Sequence, residues 1–316
     1  MTKPKILMLG SNGQIGTVLS KALKERYGQD QIICSDINQP KIISNPFEVL
    51  DILDSQALSL VIQKYNITQI YHLAAILSAK GEKNPGLTWK VNLDGLINVL
   101  NVAVEHKISR VFFPSSIAIY GGSTPKINTP QHASFEPSTV YGISKLAGEL
   151  WCQYYFNRFG LDVRSLRYPG VVGWQSVPEG GTTDYAVEIY HAALKLQHYT
   201  CFLKESTRLP MIYMDDAIRA TLELMEADPQ RLSIRTSYNL VGMSFTPGEI
   251  YAEIKKHITN FTINYQPDFR QQIAESWNET IDDQAAKMDW DWKPRFDLES
   301  MTLDMLHHLN TSNKSV

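Results

Sequence analysis

The length, composition and charge of the chain exclude several classes of protein. With 316 residues, 43% of them hydrophobic and 20% charged, the chain is typical of a globular protein with one large domain or two interlocked lobes. Its net charge of −3 gives no reason to expect a nucleic acid or an anionic membrane as partner, and no apolar run approaches the ~20 residues that span a bilayer.

The amino-terminal residues and the cysteines predict a cytoplasmic protein without a metal. Residues 1–4 lead directly into an apolar run, so we expect no signal peptide. The three cysteines, Cys34, Cys152 and Cys201, are scattered and cannot all pair. No Cys/His cluster has the spacing of metal ligands, and we therefore expect free thiols in a reducing compartment.

A glycine-rich turn near the start predicts a dinucleotide site. Residues 5–9 form a nearly continuous apolar run, which favours a strand buried on both faces of a parallel sheet. The turn follows at once and opens a helical pattern that extends to Tyr27. Its glycines permit close approach of the backbone to a pyrophosphate, which the amino end of a helix attracts. The residues expected to meet the cofactor here are Gly10, Asn12, Gly13, Gln14, Ile15 and Gly16.

An acidic residue after the second predicted strand favours NAD over NADP. The strand at residues 31–35 ends at Asp36, twenty residues beyond Gly16, where a carboxylate would bind the ribose hydroxyls of adenosine. A carboxylate repels a 2′-phosphate, and no arginine follows immediately. The alternative is that Asp36 only forms the turn at the end of the strand.

Later strands bring small and hydroxyl-bearing residues to the same edge of the predicted sheet. The strand that contains His72, which we interpret as a packed histidine, is followed by Ala74 and Ala75. A strand at 110–114 leads to two serines, and another follows at 162–168. Strands that alternate with helices in this way predict an α/β fold with a doubly wound parallel sheet.

Tyr141 and Lys145 lie one turn apart on a predicted helix, residues 140–159, and therefore share a face. A nearby ammonium favours the phenolate form of a tyrosine. Lowering the pKa from ~10 to ~7 requires about 4 kcal/mol, which a lysine and a bound cationic nicotinamide together can supply. By itself the pair also fits an ordinary surface contact between residues i and i+4.

In this order, the motifs resemble the extended short-chain dehydrogenase/reductase family, which includes NAD-dependent epimerases and dehydratases, over nearly the whole chain. The resemblance implies NAD as cofactor and Tyr141 as the general acid/base. It implies that Lys145 holds the nicotinamide ribose and lowers the tyrosine pKa, and that Ser116 hydrogen-bonds the reacting oxygen. Ser115 is then a neighbour at the cofactor or substrate. The further cofactor contacts that it implies are Asp51, Ile52, Leu73, Ala74, Ala75, Asn92, Tyr141, Lys145, Tyr168 and Pro169.

Four separate segments are similar to the L-threonine 3-dehydrogenase branch of that family: residues 77–82, 167–186, 209–216 and 276–294. The likeness implies NAD-dependent oxidation of the β-hydroxyl of L-threonine to 2-amino-3-oxobutyrate, a step of threonine catabolism. Asn278 departs from the pattern, which has proline after the tryptophan. The substrate contacts that the likeness implies are Ser78, Ser115, Ser116, Tyr141, Thr182, Thr183, Asp184 and Trp277.

A structural alternative exists for the threonine pair, because Thr182 or Thr183 would make a normal N-cap for the helix predicted to start near Asp184. Two functional alternatives also stay open. One is a sugar-nucleotide epimerase or dehydratase with bound NAD, in which Arg208 would meet the phosphates. The other is a non-catalytic NAD-sensing protein, although such relatives usually lack the tyrosine or the lysine.

We therefore expect a Rossmann-type doubly wound parallel sheet with a smaller, discontinuous α+β lobe on its C-terminal side. The NAD-binding domain is predicted at residues 1–170 and about 208–243, and the substrate lobe at about 171–207 and 244–316. The family resemblance also implies a homodimer that forms through the helices carrying Asn92 and Tyr141.

Overall fold

The computed structural model describes residues 3–40, 46–175, 178 and 181–313. Its strands are β1 (Ile6–Leu9), β2 (Ile32–Asp36), β3 (Phe47–Val49), β4 (Gln69–His72), β5 (Arg110–Ser116), β6 (Val163–Tyr168), β7 (Gly170–Val172), β8 (His198–Cys201), β9 (Leu209–Tyr213), β10 (Tyr238–Asn239), β11 (Met243–Phe245) and β12 (Thr262–Tyr265).

The α-helices alternate with these strands over the first half of the chain. They are α1 (Gln14–Tyr27), α2 (Ser55–Tyr65), α3 (Ser78–Gly81), α4 (Pro85–Trp89), α5 (Gly95–Glu105), α6 (Val140–Phe159), α7 (Tyr185–Lys195), α8 (Met214–Glu226), α9 (Pro247–His257), α10 (Arg270–Ser276), α11 (Gln284–Trp290) and α12 (Leu298–Asn313). A π-helical turn, Lys90–Asp94, joins α4 to α5, so these two helices continue one another.

The main sheet has the strand order β10-β6-β5-β4-β1-β2-β3. The pairs β1–β2, β1–β4, β2–β3 and β4–β5 are parallel. The chain runs outward from β1 to β3 and then returns to β4 on the other side of β1, so the order reverses between β1 and β4. In open α/β sheets a ligand binds beyond the carboxyl ends of the strands at such a reversal. The predicted α/β class and doubly wound parallel sheet are confirmed.

The described residues divide into two compact units. The first contains residues up to 119, 137–167 and 218–238, and the second contains 120–136, 168–217 and the residues from 239 onward. In the first unit every residue of β1 is buried, and its apolar core also contains residues of α2, α5 and α6. The functional division into an NAD-binding domain and a substrate lobe stays a prediction.

The second unit is built on two small sheets. One has the order β11-β9-β7, with β7 parallel and β11 antiparallel to β9, and the other pairs β8 with β12 in parallel. A capping box begins α9, because the Thr246 hydroxyl accepts from the Glu249 N–H and the Glu249 carboxylate accepts from the Thr246 N–H. Among the described residues, no helix is long and apolar enough to span a membrane.

Candidate active site

The glycine loop between β1 and α1 packs directly against the exit of β4. Gly10 has a φ of 81°, and a Cβ placed there would lie 2.5 Å from the backbone nitrogen of Ala74. A Cβ at Gly16 would lie 2.5 Å from the Gly10 carbonyl oxygen. Both positions therefore exclude any larger residue, and the structure brings Gly10 and Ala74 together as the sequence predicts.

Gly13 differs from these two glycines because it has open space around it. The nearest atom to a Cβ placed at Gly13 would be the Gly10 carbonyl oxygen, at 3.5 Å. Gly13 is also the N-cap of α1 and has no side chain to accept hydrogen bonds from the first turn. The room at Gly13 and the uncapped helix end suit a phosphate, which free N–H groups and the helix dipole both attract.

The half-buried Asp36 is tied to the same loop. Its carboxylate accepts from the Asn12 N–H at 3.1 Å and from the Asn38 N–H at 3.3 Å. Asp36 thus forms the turn, as the simpler hypothesis requires, and it also lies beside the glycine loop, where the adenosine ribose is expected. The Ile52 side chain packs in the core against Gly95, and Asp51 is exposed, with its carboxylate accepting from the Leu53 N–H at 2.9 Å.

Ser116, Tyr141 and Lys145 come together where β5 meets the first turns of α6. The Ser116 hydroxyl accepts from the Ala118 N–H at 3.2 Å and also hydrogen-bonds to Tyr141. The buried Lys145 ammonium donates to the Pro114 carbonyl at 2.7 Å and lies 5.6 Å from the centre of the Tyr141 ring. The geometry thus groups the three residues predicted to be catalytic.

Two local features place α6 against the end of β5. The Thr139 hydroxyl caps the helix by accepting from the Gly142 N–H at 3.1 Å. A Cβ at Gly142 would lie 2.1 Å from the Ala118 carbonyl oxygen, in the turn that follows Ser116. The absence of a side chain directly after Tyr141 therefore permits the close approach that joins Tyr141 to Ser116.

Burial dominates the electrostatics of this pair. It raises the pKa of Tyr141 to about 12, and the hydrogen bond from Ser116 is a smaller effect in the opposite direction. It also lowers the pKa of Lys145 to about 8, because desolvation disfavours the ammonium. With the groups of the protein alone, the Tyr141 pKa is therefore raised, and the predicted lowering by Lys145 is not seen.

Asn92 lies in the π-helical turn and holds the chain that follows β4. Its amide oxygen accepts from the Ile76 N–H at 2.7 Å, and its amide nitrogen donates to the Ile76 carbonyl at 3.0 Å and to the Ser144 hydroxyl at 3.2 Å. The side chain is buried. Asn92 therefore fixes the backbone after Ala75 and joins it to α6, and these bonds occupy both ends of its amide.

The remaining predicted residues of the first unit have more varied surroundings. Leu73, Ala74 and Ala75 are half-buried at the exit of β4, and Ser78 is half-buried at the start of α3. Burial lowers the pKa of His72 to about 3, and its ring stacks on Phe113 at 6.4 Å, which agrees with a packed, neutral histidine.

Ser115 is not grouped with Ser116 and Tyr141. Successive side chains of a strand point to opposite faces, and the buried Ser115 hydroxyl donates to Glu149 at 2.6 Å. Glu149 in turn pairs with Arg167 at 2.8 Å, and both side chains are almost completely buried.

The predicted residues of the second unit cluster around β7 and the start of α7. Gly170 leaves room for Thr183, since a Cβ at Gly170 would lie 2.8 Å from the threonine methyl carbon. The N-cap of α7 is Asp184, and no side chain caps it, so the N-cap alternative for Thr182 or Thr183 is wrong. Within the described residues neither threonine hydroxyl donates a hydrogen bond; Asp184 accepts from the Gly181 N–H at 2.8 Å.

Three other residues of this unit are buried. Tyr168 and Pro169 lie where β6 leads into β7, and Trp277 follows α10. Arg208 donates to the Ser244 carbonyl at 2.8 Å and pairs with Glu249, so its guanidinium holds two segments of the unit together.

Comparison with known proteins identifies the family. The family described as “NAD dependent epimerase/dehydratase family” matches residues 6–240. The chain belongs to this family. A relative from Staphylococcus aureus (strain USA300), an uncharacterized epimerase/dehydratase, is 46% identical over 307 residues, which are 96% of this chain and 95% of the relative.

Solved structures of L-threonine dehydrogenases are similar to this member of the family over nearly its whole length. The GalE-like L-threonine dehydrogenase from Cupriavidus necator in its holo form is 52% identical, with a TM-score of 0.95 and coverage of 97% of this chain and 100% of that one. A monomeric L-threonine 3-dehydrogenase from a metagenome is 48% identical, with a TM-score of 0.95 and coverage of 98% and 99%.

NAD is the cofactor of this epimerase/dehydratase-family protein, and three observations show that the first unit fits it. Space is open at Gly13, the amino end of α1 has no side-chain cap, and the Asp36 carboxylate lies beside the loop. Among the described residues no group of three His, Cys, Asp or Glu side chains is arranged to hold a metal ion.

Sequence reasoning missed the Glu149–Arg167 pair. Two signals were available: Glu149 lies one helical turn after Lys145, and Arg167 is a charge within a strand that is buried throughout. Neither signal identifies the partner, because the two residues lie on different elements.

We expect Gly142→Ala to lower the free energy of unfolding by about 1–3 kcal/mol, because its Cβ overlaps the Ala118 carbonyl and must push α6 away. Urea unfolding measures this change. Gly86→Ala is the matched control, since a Cβ at Gly86 meets nothing within 4 Å in α4. Equal stability of Gly142→Ala and wild type would show that the helix is not held by this contact.

Lys145→Met is expected to raise the free energy of unfolding at neutral pH, by up to about 3 kcal/mol, because it removes a cation whose pKa burial lowers to about 8. The unfolded lysine, with a pKa of ~10.4, holds its proton more tightly. The wild type therefore gains stability as the pH rises from about 8 to ~10.4, and the advantage of the variant shrinks over that range.

Urea unfolding of both proteins across this pH range measures the effect. Lys21→Met on the exposed face of α1 is the control and should show no such dependence. A Lys145→Met variant that is less stable than wild type at every pH would contradict the expectation.

Proposed function

We propose that the chain oxidises the β-hydroxyl of L-threonine to 2-amino-3-oxobutyrate with NAD as the hydride acceptor. The observation that carries the proposal is the Ser116–Tyr141 hydrogen bond beside the buried Lys145, in a chain so similar to two threonine dehydrogenases. The reaction would be a first step of threonine catabolism towards glycine. The buried free thiols of Cys34, Cys152 and Cys201 support a cytoplasmic location.

In this proposal Tyr141 as phenolate removes the proton of the substrate hydroxyl, and the hydrogen on the same carbon leaves as hydride. Ser116 accepts from the Ala118 N–H, and its single proton would be donated to the reacting oxygen when the substrate is bound. Lys145 binds the nicotinamide ribose. Bound NAD supplies the hydride acceptor and a positive charge, which offsets the effect of burial on the tyrosine pKa.

The proposed cofactor site follows the carboxyl ends of the strands. The uncapped amino end of α1 receives the pyrophosphate, and Asp36 receives the adenosine ribose, which favours NAD over NADP. The backbone that Asn92 fixes after β4 lines the nicotinamide half. The full set that we propose is Gly10, Asn12, Gly13, Gln14, Ile15, Gly16, Asp36, Asp51, Ile52, Leu73, Ala74, Ala75, Asn92, Tyr141, Lys145, Tyr168 and Pro169.

For the substrate we propose the hydroxyls of Thr182 and Thr183 as the second unit's main contribution. The support is that capping does not explain them and that neither donates to another described residue. Ser78, Ser116, Tyr141, Asp184 and Trp277 complete the proposed set. Ser115 is left out, because its hydroxyl donates to Glu149.

A sugar-nucleotide epimerase or dehydratase is the second candidate, since the family description names both activities. Two observations weigh against it. The Arg208 guanidinium is bound to Ser244 and Glu249, and the residues directly after Ser116 are Ile117 and Ala118, where a dehydratase would carry carboxylates.

The test is NADH formation by the purified protein, followed by absorbance, with L-threonine, D-threonine, L-serine and a UDP-sugar. We expect fast NADH formation with L-threonine alone. Turnover of the UDP-sugar without free NADH, together with no reaction of the amino acids, would refute the proposal and favour a sugar-nucleotide epimerase.

We expect Tyr141→Phe to lower turnover at least about 1,000-fold while NAD binding is retained, because only the phenol oxygen that accepts the proton is lost. Tyr65→Phe on α2 is the control, since its hydroxyl donates to Glu48, outside both the proposed site and the proposed interface. Near-normal turnover of Tyr141→Phe would rule out this acid/base assignment.

We also propose that the chain forms a homodimer through α6 and the neighbouring α4–α5 segment. The support is an exposed apolar face on α6, where Leu150 is 56% exposed, Tyr154 49% and Phe159 50%. Trp151 packs edge-on against Tyr154 with ring centres 5.6 Å apart, and so extends this face. Exposed aromatic residues in a contiguous patch mark interaction surfaces.

Replacing both Leu150 and Tyr154 with glutamate should convert the dimer to a monomer, because burying two carboxylates in an apolar interface is costly. Sedimentation velocity distinguishes the two states. Leu60→Glu on α2 is the control, since Leu60 is 65% exposed on a different helix. A monomeric wild type, as the metagenome relative is described, would refute the proposal.

A further inference from the structure

Ser115, Glu149 and Arg167 form a buried polar network next to the catalytic candidates on β5 and α6. The Ser115 hydroxyl donates to Glu149 Oε1 at 2.6 Å. Arg167 donates to the same oxygen from Nε at 3.0 Å and to Oε2 from a terminal nitrogen at 2.8 Å. The side chains of Glu149 and Arg167 are 1% and 2% exposed. All three residues belong to the first unit.

The network joins β5 to α6 at the level of the proposed active site. On β5, Ser115 stands between Pro114, whose carbonyl binds Lys145, and Ser116, which binds Tyr141. On α6, Glu149 lies one turn beyond Lys145. The end of β5 is therefore bonded to two successive turns of the helix. Pro114 binds the turn that contains Lys145, and Ser115 binds the next turn, which contains Glu149.

The directional hydrogen bonds of this network are not needed for the stability of the fold alone. Desolvation offsets much of the attraction in a buried ion pair, and an apolar set of similar volume is often as stable. A hydrogen bond to an ionised carboxylate is short and directional, so the Ser115 bond fixes where the strand lies along the helix. A shift of the strand would move Ser116 relative to Tyr141, because Ser116 is the next residue.

We propose that Ser115 is a positioning residue: by donating to the Glu149–Arg167 pair it locks the end of β5 against α6 and thereby holds Ser116 at Tyr141. The inference rests on the proposed function only in that Tyr141 is the acid/base. It requires no particular substrate.

The sharpest test compares Ser115→Thr with Ser115→Val. The two variants have the same shape, and only threonine keeps the hydroxyl that bonds to Glu149. We expect Ser115→Thr to retain kcat, and Ser115→Val to lower kcat about 10- to 100-fold with the KM for NAD unchanged, because small displacements of reacting groups cost rate rather than cofactor binding. Ser115→Ala, which adds no volume, repeats the test if valine prevents folding.

Two readouts separate positioning from mere support of the fold. The Ser116 hydrogen bond lowers the Tyr141 pKa, so its loss should move the rising limb of the pH–kcat profile to higher pH in the valine and alanine variants. Without any substrate, the Cζ resonance of Tyr141 in ¹³C-tyrosine-labelled protein, assigned by its loss in Tyr141→Phe, should shift in the same variants and stay in place in Ser115→Thr.

An unchanged Tyr141 resonance and pH profile in Ser115→Ala would overturn the proposal, even if that variant were less stable. Because the resonance is measured without turnover, it still tests the positioning role if L-threonine proves to be the wrong substrate. A wild type that oxidises nothing, but whose Tyr141 resonance depends on the Ser115 hydroxyl, would refute the proposed function and leave this inference standing.

Discussion

The close contact between α6 and the end of β5 is the constraint on which the candidate site depends. Gly142 leaves no room for a side chain beside Ala118, and Gly148 leaves none beside Phe113, where a Cβ would lie 2.6 Å from the ring. The two glycines therefore let the helix pack closely on a side chain of the strand and on the backbone of the turn that follows it. This closeness lets a serine at the end of the strand and a tyrosine in the first turn of the helix share a hydrogen bond.

The same closeness has an electrostatic cost. Withdrawing both groups from water raises the pKa of Tyr141 to about 12 and lowers that of Lys145 to about 8, so burial opposes both charged forms at once. Each pKa unit corresponds to about 1.4 kcal/mol, so at neutral pH the buried Lys145 ammonium costs a few kcal/mol, whereas the neutral Tyr141 phenol adds no such cost. A buried charge of this kind trades stability for reactivity, because a charge that is poorly solvated in the protein responds strongly to a charged cofactor.

The sequence predicts the doubly wound parallel sheet and the grouping of Ser116, Tyr141 and Lys145 because these depend on local patterns: apolar runs, glycine spacing and a one-turn separation on a helix. It does not predict how Ser115 and Asn92 are used. Both look like residues that face a ligand, but the pleat turns Ser115 towards Glu149, and the π-helical turn presents Asn92 to the Ile76 backbone. Pairings between distant elements, such as Glu149 with Arg167, leave no local signature.

In the proposed function, different parts of the chain carry the chemistry and the choice of substrate. Everything that the proposed proton transfer requires lies in the first unit, and the same serine, tyrosine and lysine would serve any secondary alcohol. In the same proposal, selection among alcohols comes from Thr182 and Thr183, which precede α7, and Thr183 packs beside Gly170. Their hydroxyls are small and close to a helix end, which suits the charged end of a compact zwitterion better than a nucleotide diphosphate.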